Sequence, residues 1–195
     1  CHAMSPWPLL MRTVSPGGNE GRLSVFIFHR VLSESDPLFN GDPDAASFRQ
    51  LMRWIKECFN VLPLDLAVRH LSERSLPARA ASITFDDGYV DNFHIARPIL
   101  ESLGLTATFF IATGYLNGGI MWNDSVIEAI RHCKKSHLDL SSMGLGVLDL
   151  SSVASTQRSI SELLTHIKYF DSLRRDEFVS NIVAITDTIP LNDLM

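Results

Sequence analysis

The chain has 195 residues, 46% hydrophobic and 20% charged, which fits a globular protein with a buried core and excludes a disordered one. A formal net charge of −5 gives no general attraction to nucleic acid or to an anionic membrane. No apolar run approaches the ~20 residues of a membrane span, and three scattered cysteines offer neither a disulfide framework nor a metal spacing.

Cys1-His2-Ala3 ahead of Met4 reads as a tag remnant. The proline-rich stretch to residue 22 predicts a mobile tail, and its start is too short and broken for a signal peptide. Without a signal or a span, the default expectation is a cytoplasmic protein. Order is expected from Ser24-Val25-Phe26-Ile27-Phe28, a short apolar strand that ends at His29-Arg30. Residues 33–44 carry loop chemistry, with Pro37, Asn40, Gly41 and Pro43. A helix follows, with Ser47 and Gln50 as a capping box and Phe48, Leu51, Met52, Ile55 and Phe59 on one face; Trp54 is expected at the margin of that face. Val61-Leu62-Pro63-Leu64 is extended, and a helix capped by Asp65 is expected to reach about Glu73, with Leu71 partly inward.

Ser82-Ile83-Thr84-Phe85 is the next buried strand, and it runs into Asp86-Asp87-Gly88-Tyr89. Asp91 to Leu103 reads as a helix in which Pro98 is a conflict, resolved by a distorted turn or by a start close to it. Gly104 caps it, and Thr106–Ile111 is a third buried strand ending at Thr113-Gly114. Further on, Asn123 or Asp124 caps a helix to about Lys134. Residues 137–152 alternate around Gly144 and Gly146 as a hairpin, and helices are expected at 155–170 and 174–186. Alternating strands and helices imply parallel strands with right-handed crossovers, whose functional groups gather at the carboxyl ends. His29, Asp86, Asp87 and Thr113 all stand just past strand ends and are expected on one rim.

Neighbouring side chains on a strand point to opposite faces. For both acids to serve one site, the chain must leave the strand at Asp86, with Gly88 providing the turn. Two adjacent carboxylates repel unless a cation lies between them or one keeps a proton. A divalent ion resolves this, with one acid as ligand and the other as base toward a bound water. The plain alternative is an Asp-Asp-Gly turn with no chemistry. A phosphatase of the Asp-x-Asp type fails on spacing, and a sugar-nucleotide transferase lacks a phosphate-cradling glycine loop.

Thr84-Phe85-Asp86-Asp87-Gly88-Tyr89 resembles the first motif of the polysaccharide deacetylase family of metal-dependent carbohydrate esterases. Pro98-Ile99-Leu100, Gly104 and Ala107–Ile111 follow at that family's spacing, and Phe28-His29-Arg30-Val31 resembles the first-strand motif of its exopolysaccharide and poly-N-acetylglucosamine branch. The resemblance spans roughly residues 23–130. It implies an α/β fold, a distorted (β/α) barrel of about seven strands, and hydrolysis of N-acetyl groups on an amino-sugar polysaccharide. Asp86 would be the general base, Asp87 a ligand of zinc or a similar divalent ion, and His29, Tyr89 and Thr113 rim groups near the substrate. The family's paired histidine ligands, its Arg-x-Pro segment and its acidic histidine have no match. His132 and His137 flank Cys133-Lys134-Lys135, a poor cation site, while His70, His94 and His166 read as surface or helix-face residues.

Residues 23–195 are therefore expected to form a partial (β/α)7 barrel truncated at the C-terminus, with a helical and hairpin insertion at about 137–186. The chain alone is expected to be weakly active or inactive. The alternative is a vestigial, non-catalytic carbohydrate-interacting domain. An exposed sheet edge predicts self-association.

Overall fold

The structure is a computed structural model that describes residues 13–38, 41–188 and 194–195. The expected tag remnant and the first part of the expected tail lie outside the described residues. The chain divides into two compact units, residues 1–36 with 41–116, and residues 37–40 with 117–195.

The first unit is a mixed α/β layer in which every strand pair is parallel. Strand β3 (Ala80–Phe85) is its centre. Strand β1 (Ser24–Phe28) runs along one side from Ser24↔Ala81 to Phe28↔Phe85. The other side is shared by β2 (Asn60–Val61) at the start and β4 (Thr108–Phe109) at the end. Flanked on both edges, β3 is buried at all six positions, which suits its run of small, β-branched and aromatic residues. Among the described residues the sheet stays open, so no closed barrel is formed.

Helix α1 (Ala45–Cys58) covers one face through Phe48, Met52 and Ile55. Phe28 meets Phe48 edge-on at 5.3 Å and stacks on Phe85 at 5.4 Å, and Phe85 stacks on Phe109 at 4.9 Å. The expected Ser47 cap is corrected: Asp44 is the cap, its carboxylate accepting the Ser47 N–H at 2.7 Å. The Ser47 hydroxyl was a reasonable candidate, but an aspartate three residues earlier already serves its backbone. Trp54 lies further out than expected, 58% exposed. Helix α2 (Leu64–Ser72) starts after Pro63, with Asp65 in its first turn rather than as its cap, and Leu71 faces outward.

The Pro98 conflict resolves into two segments. Asn92–Ala96 forms a π-helical turn that runs directly into α3 (Arg97–Leu103), so the widened turn sits immediately before Pro98, whose ring and missing N–H interrupt the regular ladder. The third strand is a correction: β4 is two residues long, and Phe109, Phe110 and Ile111 are 37%, 50% and 48% exposed, because among the described residues β4 has a strand on one side only. Residues 15–18 also depart from the expected loose tail. The Gly18 N–H donates to the Leu76 carbonyl and the Arg79 N–H to the Ser15 carbonyl, both at 2.8 Å.

In the second unit, α4 (Trp122–His132), α5 (Val153–Ile167) and α6 (Ser172–Thr186) pack around a core that includes Val126, Ile130, Leu163 and Ile182. The expected hairpin forms from β5 (His137–Asp139) and β6 (Val147–Asp149), antiparallel, with Gly144 in the left-handed region at φ 83°. Asn123 and Asp124 do not cap α4, which starts earlier, after Met121. The last two helices each begin two residues before the expected start, capped by Ser152 and Asp171.

Candidate active site

The ends of β1, β3 and β4 converge on the Asp86-Asp87 turn. Asp86 keeps the β1 ladder one residue beyond the strand, its N–H donating to the Phe28 carbonyl at 2.9 Å. At Asp87 the backbone then swings to φ 74°, and the Gly88 N–H donates back to the Asp86 carbonyl at 2.9 Å. This three-residue turn is centred on a non-glycine residue in the left-handed region, a conformation found where surrounding contacts impose it. Those contacts are present on the β4 side: the Asp87 carbonyl accepts the Ala112 N–H at 3.0 Å, and the Phe85 carbonyl accepts the Phe110 N–H at 2.7 Å. One acid is thus anchored toward β1 and the other toward β4.

The departure from the strand occurs at Asp87 itself, with Gly88 (φ 86°) completing it. A Cβ on Gly88 would stand 2.9 Å from Ile111 Cδ1, so the turn lies tight against the segment after β4. Both carboxylates are half-buried. Neither makes a hydrogen bond or ion pair with a described side chain, and neither is locked onto an arginine.

His29 follows Phe28, the register partner of Phe85, so it stands beside Asp86 at the strand ends, with its ring exposed. Thr113, exposed, opens the 3₁₀ turn Thr113–Tyr115 one residue after the Ala112 bond that holds Asp87. Tyr89 is 4% exposed: the Arg30 guanidinium lies 4.7 Å above its ring, and the residue also lines a concavity beside Gly88 with Phe109 and Ile111. The other described histidines have local partners. The His132 ring contacts the Glu128 carbonyl, His137 the Ser136 hydroxyl and His70 the Ser75 hydroxyl, while His94 meets Phe93 and His166 packs on Phe170.

Three residues near the turn escaped the sequence reading. Asp91, 7% exposed, accepts from Arg30 Nε at 2.8 Å and from the Val31 N–H at 3.2 Å, fixing the segment that follows β1. Burial pushes the Asp42 carboxyl above the usual aspartate range, against the pull of Arg30 and His29; Asp91 and Asp36 add to the rise. Asn92 is 3% exposed, with neither end of its amide hydrogen-bonded. The available signal was two short polar residues five and six positions past Asp86, at the start of an otherwise apolar helical pattern.

These features define a parallel α/β protein whose polar groups gather at the carboxyl ends of its strands. Residues 73–178 match the sequence profile of the polysaccharide deacetylase family, over half of the chain, and the chain belongs to that family. It is 23% identical over 154 residues to YxkH of Bacillus subtilis (strain 168), which carries a polysaccharide deacetylase name; the match covers 78% of this chain and 52% of that protein. The chain therefore spans about half the length of this relative. Among solved structures, IcaB from Ammonifex degensii is 20% identical with a TM-score of 0.46, covering 86% of this chain and 82% of its own. The Streptococcus pyogenes deacetylase PplD in complex with acetate is 28% identical with a TM-score of 0.42, covering 47% and 43% respectively. No helix among the described residues is long and apolar enough to cross a membrane.

Proposed function

We propose that this chain carries the base-bearing portion of an enzyme that removes N-acetyl groups from an amino-sugar polysaccharide, built on part of a (β/α)7 barrel over residues 23–195. The single observation behind this reading is the Asp86-Asp87 turn. It holds two half-exposed, unpaired carboxylates at the rim, pinned through the backbone from both neighbouring strands. A structural Asp-Asp-Gly turn would gain from pairing such carboxylates with the chain itself.

In this reading Asp86 takes a proton from the water that attacks the acetamide carbonyl, and His29 and Thr113 face the polymer beside it. Asp87 is the ligand for a divalent ion, zinc or similar, which when bound lowers the pKa of a water. A catalytic zinc takes about three protein ligands. Among the described residues no three of His, Cys, Asp or Glu converge on one point. The donor set does not fit a complete metal centre, so we assign no step to the ion, and the chain alone is weakly active or inactive. The same observation favours a second reading, a non-catalytic carbohydrate-interacting domain that keeps the rim.

Titration with zinc, followed by acetate release from an acetylated amino-sugar polymer, separates the readings. Micromolar binding that disappears in Asp87→Ala, with residual acetate release that disappears in Asp86→Asn, supports the enzyme. Polymer binding without either supports the second reading, and no interaction at all removes both. The open edge at β4, with Phe110 and Ile111 exposed, is also proposed to drive self-association. A monomer by light scattering at high concentration would refute that part.

A further inference from the structure

The two outer edges of the parallel sheet in the first unit carry the same unmet chemistry. Strand β1 turns Phe28 toward β3, where its carbonyl accepts the Asp86 N–H, so Val25 and Ile27 direct their own N–H and carbonyl groups outward. On the opposite side Phe110 and Ala112 donate to the Phe85 and Asp87 carbonyls, so Phe109 and Ile111 direct theirs outward. Among the described residues no hydrogen bond reaches these outward groups. The side chains are uncovered too: Val25, Ile27, Phe109, Phe110 and Ile111 are between 37% and 60% exposed. Exposed edges are ordinarily guarded by charge or proline, yet neither Ser24–Phe28 nor the run from Thr106 to Ala112 contains either. Ile27 lies level with Thr84, and Thr84 with Thr108. Val25, Ile27 and Phe110 therefore share one face of the sheet, opposite the face where Phe28 and Phe85 meet Phe48 of α1.

We propose that these two edges pair with each other between two copies of the chain: β4 of each copy receives β1 of the other in parallel, about a two-fold axis. This deepens the self-association reading above and does not depend on the hydrolase reading. In the pair, Val25 lies level with Thr108 of the second copy and Ile27 with its Phe110, an aromatic and a β-branched side chain on one face. The Ile27 N–H donates to the Phe109 carbonyl, and the Ile111 N–H donates to the Ile27 carbonyl, so the outward groups of both edges are met. Pairing β4 with β4 would cover the phenylalanines but leave Val25 and Ile27 in water, whereas the reciprocal contact covers both edges of both copies. Area favours it as well. The five exposed side chains present roughly 900 Å² in two copies, most of the roughly 1,200 Å² at which specific interfaces begin, and the strand backbones add to it. A single unreciprocated contact covers about half of that and would be weak.

The test uses the full chain. Light scattering is expected to give twice the mass of one chain, and Ile27→Lys or Phe110→Lys to return it to the mass of one, with an unchanged circular dichroism spectrum because both side chains are exposed in the single copy. Two further variants, Ile27→Cys and Phe110→Cys, are made with the three native cysteines replaced by serine, and one of them carries a larger tag. A thiol cross-linker that reaches only between neighbouring strands is expected to join the two variants when they are mixed and to join neither variant to itself. Cross-linking of Phe110→Cys copies to one another would show β4 against β4, overturning this pairing while leaving self-association standing. A monomer at high concentration would remove both. Masses that keep growing with concentration would overturn the two-fold closure. None of these measurements uses zinc or a polymer, so a chain that releases no acetate but yields the mixed product would end the catalytic reading and leave the pair intact.

Discussion

Replacing Asp91 tests whether the segment after β1 is held to the Asp86-Asp87 turn as the geometry implies. In Asp91→Ala the Val31 N–H, on a residue with no exposed surface, loses its acceptor, and Arg30 loses the carboxylate 2.8 Å from Nε. A buried donor left unpaired costs roughly 1–3 kcal/mol, and a hydrogen bond to a charged group contributes roughly 1.5–3 kcal/mol. Arg30 keeps 20% of its side-chain exposure and its place over Tyr89, so it recovers part of the loss through water. The net cost is expected near the lower end of the sum, about 3 kcal/mol. Asp91→Asn keeps a carbonyl oxygen for Val31 and gives up only the charge, so it is expected to cost about half as much. The assay is urea-dependent hydrogen exchange of the Ile83 and Phe85 amides. This reads the first unit directly and does not require that both units unfold together. A cost under about 1 kcal/mol for alanine, or equal costs for the two variants, would refute the reasoning.

Gly88→Ala places a Cβ 2.9 Å from Ile111 Cδ1 at φ 86° and is expected to cost about 2 kcal/mol in urea unfolding, with partial recovery in the double variant carrying Ile111→Val. The Asp42 carboxyl is raised by burial, so the folded chain binds its proton more tightly than the unfolded chain does. Its contribution is fully present below the unfolded value near 3.8 and is lost as pH rises through the higher folded value. Asp42→Asn is therefore expected to gain stability over the native chain as pH rises from 3 toward 7, and a gap that does not change across that range would contradict it. Asp44 behaves oppositely. The Ser47 N–H holds its carboxyl below the ordinary range, so the cap is present above pH 3.8 and lost in acid, which amide exchange at the start of α1 would read. In the second unit Leu163 has no exposed surface, and Leu163→Ala is expected to cost about 3 kcal/mol by denaturant-dependent exchange in α4 and α6.

Much of the first unit was legible along the chain because its signals are local. Val25-Phe26-Ile27 marks a strand by composition, Gly104 marks a helix end by its left-handed backbone (φ 63°), and Pro98 announces a distortion in the turn before it. The adjacency of Asp86 and Asp87 at the end of a buried run was likewise visible without coordinates. What could not be read there depends on partners distant in sequence. Asp91 turns inward because Arg30 and Val31, some sixty residues earlier, supply the donors that make its burial affordable. Tyr89 follows the motif like a rim residue, yet it is buried beneath the Arg30 guanidinium. Phe109 and Phe110 have the composition of a buried strand, and only strand order leaves them at an edge. A residue type sets what a side chain can bond to, but which groups come within 3 Å of it is decided by pairing register and packing. Asn92's empty amide, like the conformation of Asp87, is therefore a property of the assembled fold alone.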